Sequence, residues 1–318
     1  PLAMNSSSRF DVGRNFANKF WNAGRFALMN ISNPAASVSA DALQQVDQWM
    51  LSRVSVAVQR VDAALQEYKF NVAVEAVYDV LWRDFCDWYL EAIKPTVQSS
   101  PSQQRVLLTV VDVISRLLHP ICPFVTEAIW PHIHAISPGG VEGVTLETNP
   151  LAATSSWPDL SGLQLDAQVT SRFEQLRELV VAIRGARASQ KVKPKRKIDL
   201  LVPENLLALA EEHAVVLSSL AGLSSIEMLS AKSCGFAVLV GSDTVLLANM
   251  LDEEEAQEHN ERLVEEVAAL EKKVAGFKAR LANDSYVQNA PDHVVQETRD
   301  MLANCEAELA AAKDTLQT

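Results

Sequence analysis

The stretch VDQWMLSRVSVAVQRVDAAL, residues 46–65, decides the fold class. Val46, Met50, Val54, Val58, Val61 and Leu65 recur every three or four residues, with Arg53, Arg60 and Asp62 between them. That interval lines one face of an α-helix, whereas a half-buried strand alternates every second residue. The signature extends outward on both sides. Before it, Phe16, Phe20, Ala23, Ala27 and Asn30 step by four and three, with Arg14, Lys19 and Arg25 beside the apolar stripe. After it, Val74, Val77, Leu81, Phe85 and Trp88 predict a helix from Asn71 to Lys94, stopped by Pro95. Ser39 or Asp41 is expected to cap the helix holding the opening stretch, and Asn71 the next one. Two more helices follow Pro101 and Pro123, the first ending at His119-Pro120 and the second carrying Val125, Ile129 and Ile133. Short breaks between amphipathic segments predict an up-and-down helix bundle over residues 1–137.

Residues 138–165 are turn and loop material, with Gly139-Gly140 and Thr154-Ser155-Ser156-Trp157-Pro158. Residues 166–250 read as a small α/β unit. A helix is expected from about Asp166 to Gln190 and another from Glu204 to Leu220. Short β-like runs lie at Ile198–Val202, Ile226–Leu229, Phe236–Val240 and Val245–Leu247. Residues 251–318 carry two heptad seams, Leu263, Val267, Leu270, Val274, Phe277, Leu281 and then Val295, Thr298, Leu302, Cys305, Leu309, Ala312, Leu316. A turn-rich break from Asn283 to Pro291 separates them, so an antiparallel coiled-coil hairpin is predicted. About 30 residues per arm at 1.5 Å each project roughly 40–45 Å. The expected class is therefore mainly α, with a bundle, a small α/β junction unit and a coiled-coil arm.

The chain has 318 residues, is 48% hydrophobic and 21% charged, and can bury real cores. The four cysteines lie far apart and match no zinc spacing, which predicts buried thiols of a cytoplasmic protein. No apolar run reaches the roughly 20 residues that cross a bilayer, and no signal-peptide pattern opens the chain, which starts on Pro1 and reads as a piece of a longer protein. No GxGxxG, Walker loop or GxSxG elbow occurs. His132 and His134 fall on different helix faces, so no metal ligand set is expected. Catalytic residues, metal and cofactor are all expected to be absent from this chain.

The formal charge of −12 argues mildly against a nucleic-acid binder, but it is segregated. Residues 168–199 hold nine basic and three acidic groups, whereas residues 252–318 hold seven and sixteen. The basic stretch contains Arg177, Arg184, Arg187, Lys191, Lys193, Lys195 and Arg196, an electrostatic footprint suited to a phosphate backbone or simply a solvated basic loop. The first helix mixes Arg14, Lys19 and Arg25 with Asn15, Asn18 and Asn22 and with aromatics. Cations suit phosphates and amides suit splayed bases, although Phe and Trp there also suit a core. Trp82 and Trp88 are expected in the core.

Several words of the sequence resemble a known family. Arg14-Asn15-Phe16-x-Asn18-Lys19-x-Trp21-Asn22-Ala23-x-Arg25-Phe26 resembles the start of the anticodon-binding bundle of class I aminoacyl-tRNA synthetases. Phe85-Cys86-Asp87-Trp88-Tyr89-Leu90-Glu91 with Lys94-Pro95, His119-Pro120-x-x-Pro123-Phe124-x-Thr126-Glu127, and Val181-x-Ile183-Arg184-x-x-Arg187-Ala188 are similar to its later helices in the branched-aliphatic subgroup. Leu281-Ala282-Asn283-x-x-Tyr286-Val287-x-x-Ala290-Pro291 resembles the C-terminal arm of the valyl-tRNA synthetases. The resemblance implies a bundle that receives the anticodon stem-loop and an arm that leans on the tRNA elbow. On the arm it points to Lys272, Lys273, Phe277, Lys278, Arg280 and Tyr286. It implies ATP- and Mg-dependent ligation of valine to tRNA by an upstream catalytic domain of the same polypeptide. Neither the HIGH nor the KMSKS motif of that domain is found here. The expected partners are tRNA and that upstream domain, with no membrane, in a monomer. The corresponding part of an isoleucyl or leucyl relative stays open, as does a coiled-coil protein-docking module.

Overall fold

The computed structural model describes residues 7–136, 139–230, 233–250 and 253–282, with 295–297, 299–302, 304, 305 and 309. It is mainly helical with a small sheet. It forms two compact units, Pro1–Val181 with Ala208–Gly222, and Ala182–Leu207 with Leu223–Thr318.

The first unit is a helix bundle. Its elements are α1 (Ser7–Asn30), α2 (Gln45–Gln66), α3 (Phe70–Tyr78), a π-helical stretch (Asp79–Tyr89), α4 (Leu90–Ile93), α5 (Pro101–Leu118) and α6 (Pro123–His134). Prolines open α5 and α6 because the first helical position needs no amide hydrogen. Ser100 caps α5 by accepting from the Gln103 amide. From Gln103 to Leu118 every residue of α5 is buried, so this helix is the axis around which the others pack. In α2, Val46, Met50, Val54, Val58 and Val61 are buried as the period requires, while Leu65 is partly exposed.

Several boundaries differ from the sequence reading. Ala40–Ala42 is a 3₁₀ turn and α2 starts at Gln45 after Gln44, so neither Ser39 nor Asp41 caps it. α3 starts at Phe70 rather than after Asn71, because Tyr68 takes a left-handed φ of 56° and turns the chain there. The helix predicted from Asn71 to Lys94 is interrupted by the π-helical stretch, whose wider turns let Leu81, Asp84, Phe85, Trp88 and Tyr89 all reach the interior. Gly24 of α1 lies against α6, where a Cβ would fall 1.9 Å from Ile129 Cδ1. Any larger residue at 24 would have to push that methyl aside, and glycine spares the two helices this.

Residues 140–165 are strapped to the bundle. β1 (Ser37–Val38) pairs in parallel with β2 (Gly140–Val141), and Thr145 bridges Asp159. Arg116 of α5, itself ion-paired to Asp112 at 2.7 Å, donates to the carbonyls of Glu147 and Ser156 at 2.9 and 2.6 Å. The helix α7 (Ala167–Ser189) follows, and up to Val181 it belongs to the first unit.

The second unit centres on a four-stranded sheet of order β4-β3-β6-β5, with β3 (Ile198–Val202), β4 (Leu223–Met228), β5 (Phe236–Val240) and β6 (Asp243–Ala248). β3 and β4 are parallel, as a helical crossover demands, and the other pairings are antiparallel. The helix expected from Glu204 to Leu220 is two, α8 (Glu204–Glu212) and α9 (Ala214–Ala221), broken at His213, and from Ala208 to Gly222 this segment belongs to the first unit. His213 is held by a 3.0 Å contact between its Nε2 and Gln45 Oε1. Gly222, at φ 71°, ends α9 in the left-handed conformation. The last described long element is α10 (Glu253–Leu281).

The cysteines correct the expectation of buried thiols. Cys86 is buried, and burial pushes its thiol up to about 12, whereas Cys122 and Cys305 are half-buried. Cys234 is exposed, since it precedes the outer strand β5 rather than facing a core. Among the described residues no helix is long and apolar enough to cross a membrane.

Candidate nucleic-acid interface

α1 buries Phe20, Ala23 and Ala27 and turns Arg14, Asn15, Asn18, Asn22 and Arg25 to solvent. The apolar period explains the split, since these polar residues occupy the opposite helix sector. Arg14 is held at 3.0 Å by Asp11 one turn earlier. Lys19 reaches across to Asp87 at 3.0 Å, and its ammonium lies 4.8 Å above the Trp82 ring. Trp82 in turn stacks on Tyr78, and Tyr78 on Phe16, each with ring centroids 5.6 Å apart. This aromatic ladder was not legible in sequence, because Phe16 and Tyr78 stand 62 positions apart. Trp88 is core, as expected, but Trp82 is only half-buried, because the ladder sits at the surface of the π-helical stretch. Trp21 is partly exposed as well. The exposed row of α1 therefore offers amides and guanidinium groups beside a cation-capped aromatic stack.

The basic residues of α7 divide into two roles. Arg177 lies between Trp49 and Trp88, with its guanidinium carbon 5.1 and 4.8 Å from the ring centroids. It pairs with Glu174 at 2.9 Å and with Asp84 at 3.8 Å, while Arg53 holds Asp84 from the other side at 2.8 Å. Burial still raises the Asp84 carboxyl above its ordinary range. Arg177 thus fastens α7 to the bundle and keeps only a fifth of its side chain in solvent.

In the second unit Arg187 braces the basic turn. Its Nη2 donates to the carbonyls of Lys193 and Arg196 at 3.1 and 2.9 Å. Arg196 Nε then donates to the Asn249 carbonyl at 2.7 Å. Asp199 accepts from Ser224 and Ser225 at 2.6 and 2.9 Å and from Asn249, and the Ser224 bond foremost holds its carboxyl low. These bonds shape a turn on which Lys191, Lys193, Lys195 and Lys197 are exposed, with Lys191 at φ 53°, while Arg184 is exposed on α7 itself. A turn fixed by its own backbone can offer several cations to phosphates without ordering them first.

On α10, Lys272, Lys273, Lys278 and Arg280 are exposed, whereas Leu270 and Val274 are buried and Phe277 is half-buried. Phe277 thus lies on the seam side of the helix, with Lys273, Lys278 and Arg280 flanking the seam and Lys272 on the outer face. Val295 is buried too. Tyr286 lies outside the described residues.

Comparison with known proteins finds two family models along the chain. Residues 47–202 match the family model described as the anticodon-binding domain of tRNA ligase, and residues 255–318 that of the valyl tRNA synthetase tRNA binding arm. The chain is 33% identical to a valine–tRNA ligase of Rhodopirellula baltica over 100% of its own length and 32% of that relative. It is 30% identical to a valine–tRNA ligase of Thermotoga maritima, over 97% of this chain and 34% of the relative. For the Syntrophotalea carbinolica valine–tRNA ligase the figures are 31%, 96% and 34%. The chain spans about a third of the length of the curated relatives it matches.

Proposed function

Since the chain belongs to the valyl-tRNA synthetase family, as its anticodon-binding domain and tRNA-binding arm, we propose that it grips a valine-accepting tRNA at separate places. The observation that carries this reading is the distribution of cations over an acidic protein. The exposed face of α1, the braced turn after α7 and the far half of α10 each present them, while acidic residues crowd the start of α10. Phosphate contacts supply most of the affinity for a nucleic acid, and amides or aromatic rings read unstacked bases.

In the bundle, Asn15, Asn18, Asn22 and Arg25 meet the anticodon stem-loop, with Arg14 and Lys19 oriented by Asp11 and Asp87. At the junction Arg184, Lys191, Lys193 and Lys195 meet backbone phosphates, Arg187 and Arg196 hold the turn, and Arg177 fastens α7 to the bundle. Lys272, Lys273, Lys278 and Arg280 meet the tRNA elbow near the tip of a coiled-coil hairpin, with Tyr286 in its turn. The burial of Leu270, Val274 and Val295 supports a second arm lying on α10. We assign the ATP- and Mg-dependent ligation of valine to the two-thirds of the full-length relatives that this chain does not match. The protein works in the cytoplasm as a monomer.

Nuclease footprinting of a valine tRNA transcript tests the reading. Protection at both the anticodon stem-loop and the elbow is expected. Protection at neither would remove the proposal.

A further inference from the structure

The turn between α2 and α3 and the turn between α5 and α6 border one apolar groove of about 320 Å3 in the first unit. Leu65, Phe70, Val74, Ile121 and Trp157 line it. Phe70 is 61% exposed and Val74 44%, Tyr68 packs edge-on against Phe70 while 80% exposed, and Phe124 stands three residues beyond Ile121 at 90%. Isolated apolar residues are ordinary on a surface, but a cluster around a groove marks a place where something docks.

The chemistry of the rim selects the occupant. Lys69 is neutralised by Glu67 at 2.6 Å, and Trp157 spends its indole N–H on Asp62 at 2.6 Å. Among the described residues the patch therefore lacks a row of available cations to draw in phosphate, and the indole has no polar edge left to direct a base. An aliphatic and aromatic protein surface fits it better. The matched relatives each carry about two-thirds of their length outside the part that corresponds to this chain, and a domain joined in the same polypeptide covers such a face at little entropic cost. We propose that this groove is the seat of the remainder of a full-length synthetase, docked through apolar side chains. The inference rests on the family assignment and not on the tRNA contacts.

Hydroxyl-radical footprinting of the 318-residue chain and of the full-length synthetase that carries it tests the seat. Oxidation of Tyr68, Phe70 and Phe124 is expected to fall about fivefold or more in the full-length protein. Equal oxidation in the two overturns the proposal. The double variant Phe70→Glu and Phe124→Glu, at exposed positions that do not fill a core, is expected to speed proteolytic separation of the two parts. The tRNA affinity of the 318-residue chain is expected to stay unchanged. Lost tRNA affinity would make the groove an RNA surface, and a chain dimer dissolved by the double variant would give it to a second copy. Either result overturns the proposal, and neither bears on whether the cationic faces bind tRNA.

Discussion

The Tyr89 hydroxyl donates a 2.7 Å hydrogen bond to Oδ1 of Asp47 inside the bundle, where both side chains are closed off from water. Burial raises the Asp47 carboxyl to about 6, in spite of the hydrogen bonds from Tyr89 and Gln103 that favour its charge. The folded state therefore holds this proton more tightly than the unfolded chain does. Between roughly pH 4 and pH 6 the unfolded state binds fewer protons here, so this group removes stability as the pH rises, up to about 3 kcal/mol. Asp47→Asn keeps an acceptor for Tyr89 and removes the charge. Urea titrations at pH 4 and pH 7 should show the variant gaining on the parent as the pH rises. A difference that stays constant would contradict this.

Arg177 is expected to be structural before it is anything else. Arg177→Ala leaves Asp84 with Arg53 alone and opens the space between Trp49 and Trp88, at a cost of about 2–3 kcal/mol. Arg177→Lys restores the charge but not the planar stacking, and should recover only part of the loss. Thermal unfolding followed at the tryptophan emission measures both.

At the braced turn, Lys191→Gln with Lys195→Gln should lower tRNA affinity and flatten its salt dependence. Each phosphate partner removed takes about 0.7–0.9 from the slope of log affinity against log salt. An unchanged slope would place the turn outside the interface.

On the arm, Lys272, Lys273, Lys278 and Arg280 changed together to Glu should weaken tRNA binding about tenfold or more at low salt, because four cations that attract phosphates become anions that repel them. The helix itself should persist, since all four side chains are exposed and none fills the seam of Leu270 and Val274. Circular dichroism and a binding titration on the same sample separate the two effects.

Val274→Asp should act in the opposite way. A carboxylate in a buried seam position has no partner and costs several kcal/mol, so the arm should lose helicity while the bundle keeps its melting transition. Unchanged helicity would contradict the hairpin.

The periodic helices were legible because their signal is local. Proline marked the starts of α5 and α6, and β3 and β5 coincide with the runs read from β-branched and apolar residues. What sequence did not show depends on distant partners. The break at His213 is tied to Gln45, 168 positions away, and the role of Arg177 to Trp49, Asp84 and Trp88. The cations were visible as a cluster, but not that Arg187 and Arg196 turn inward to hold backbone carbonyls. Phe277, read from the heptad spacing as a seam position, is half-buried there.

The central claim is that these surfaces recognise a tRNA that accepts valine. Filter binding of the 318-residue chain at fixed salt, to a valine tRNA transcript and to an unrelated tRNA of the same length, tests it most directly. The account predicts tighter binding of the valine tRNA, with the preference lost when the anticodon loop is exchanged between the two. Equal affinity for both tRNAs, or a preference that ignores the exchange, would contradict it.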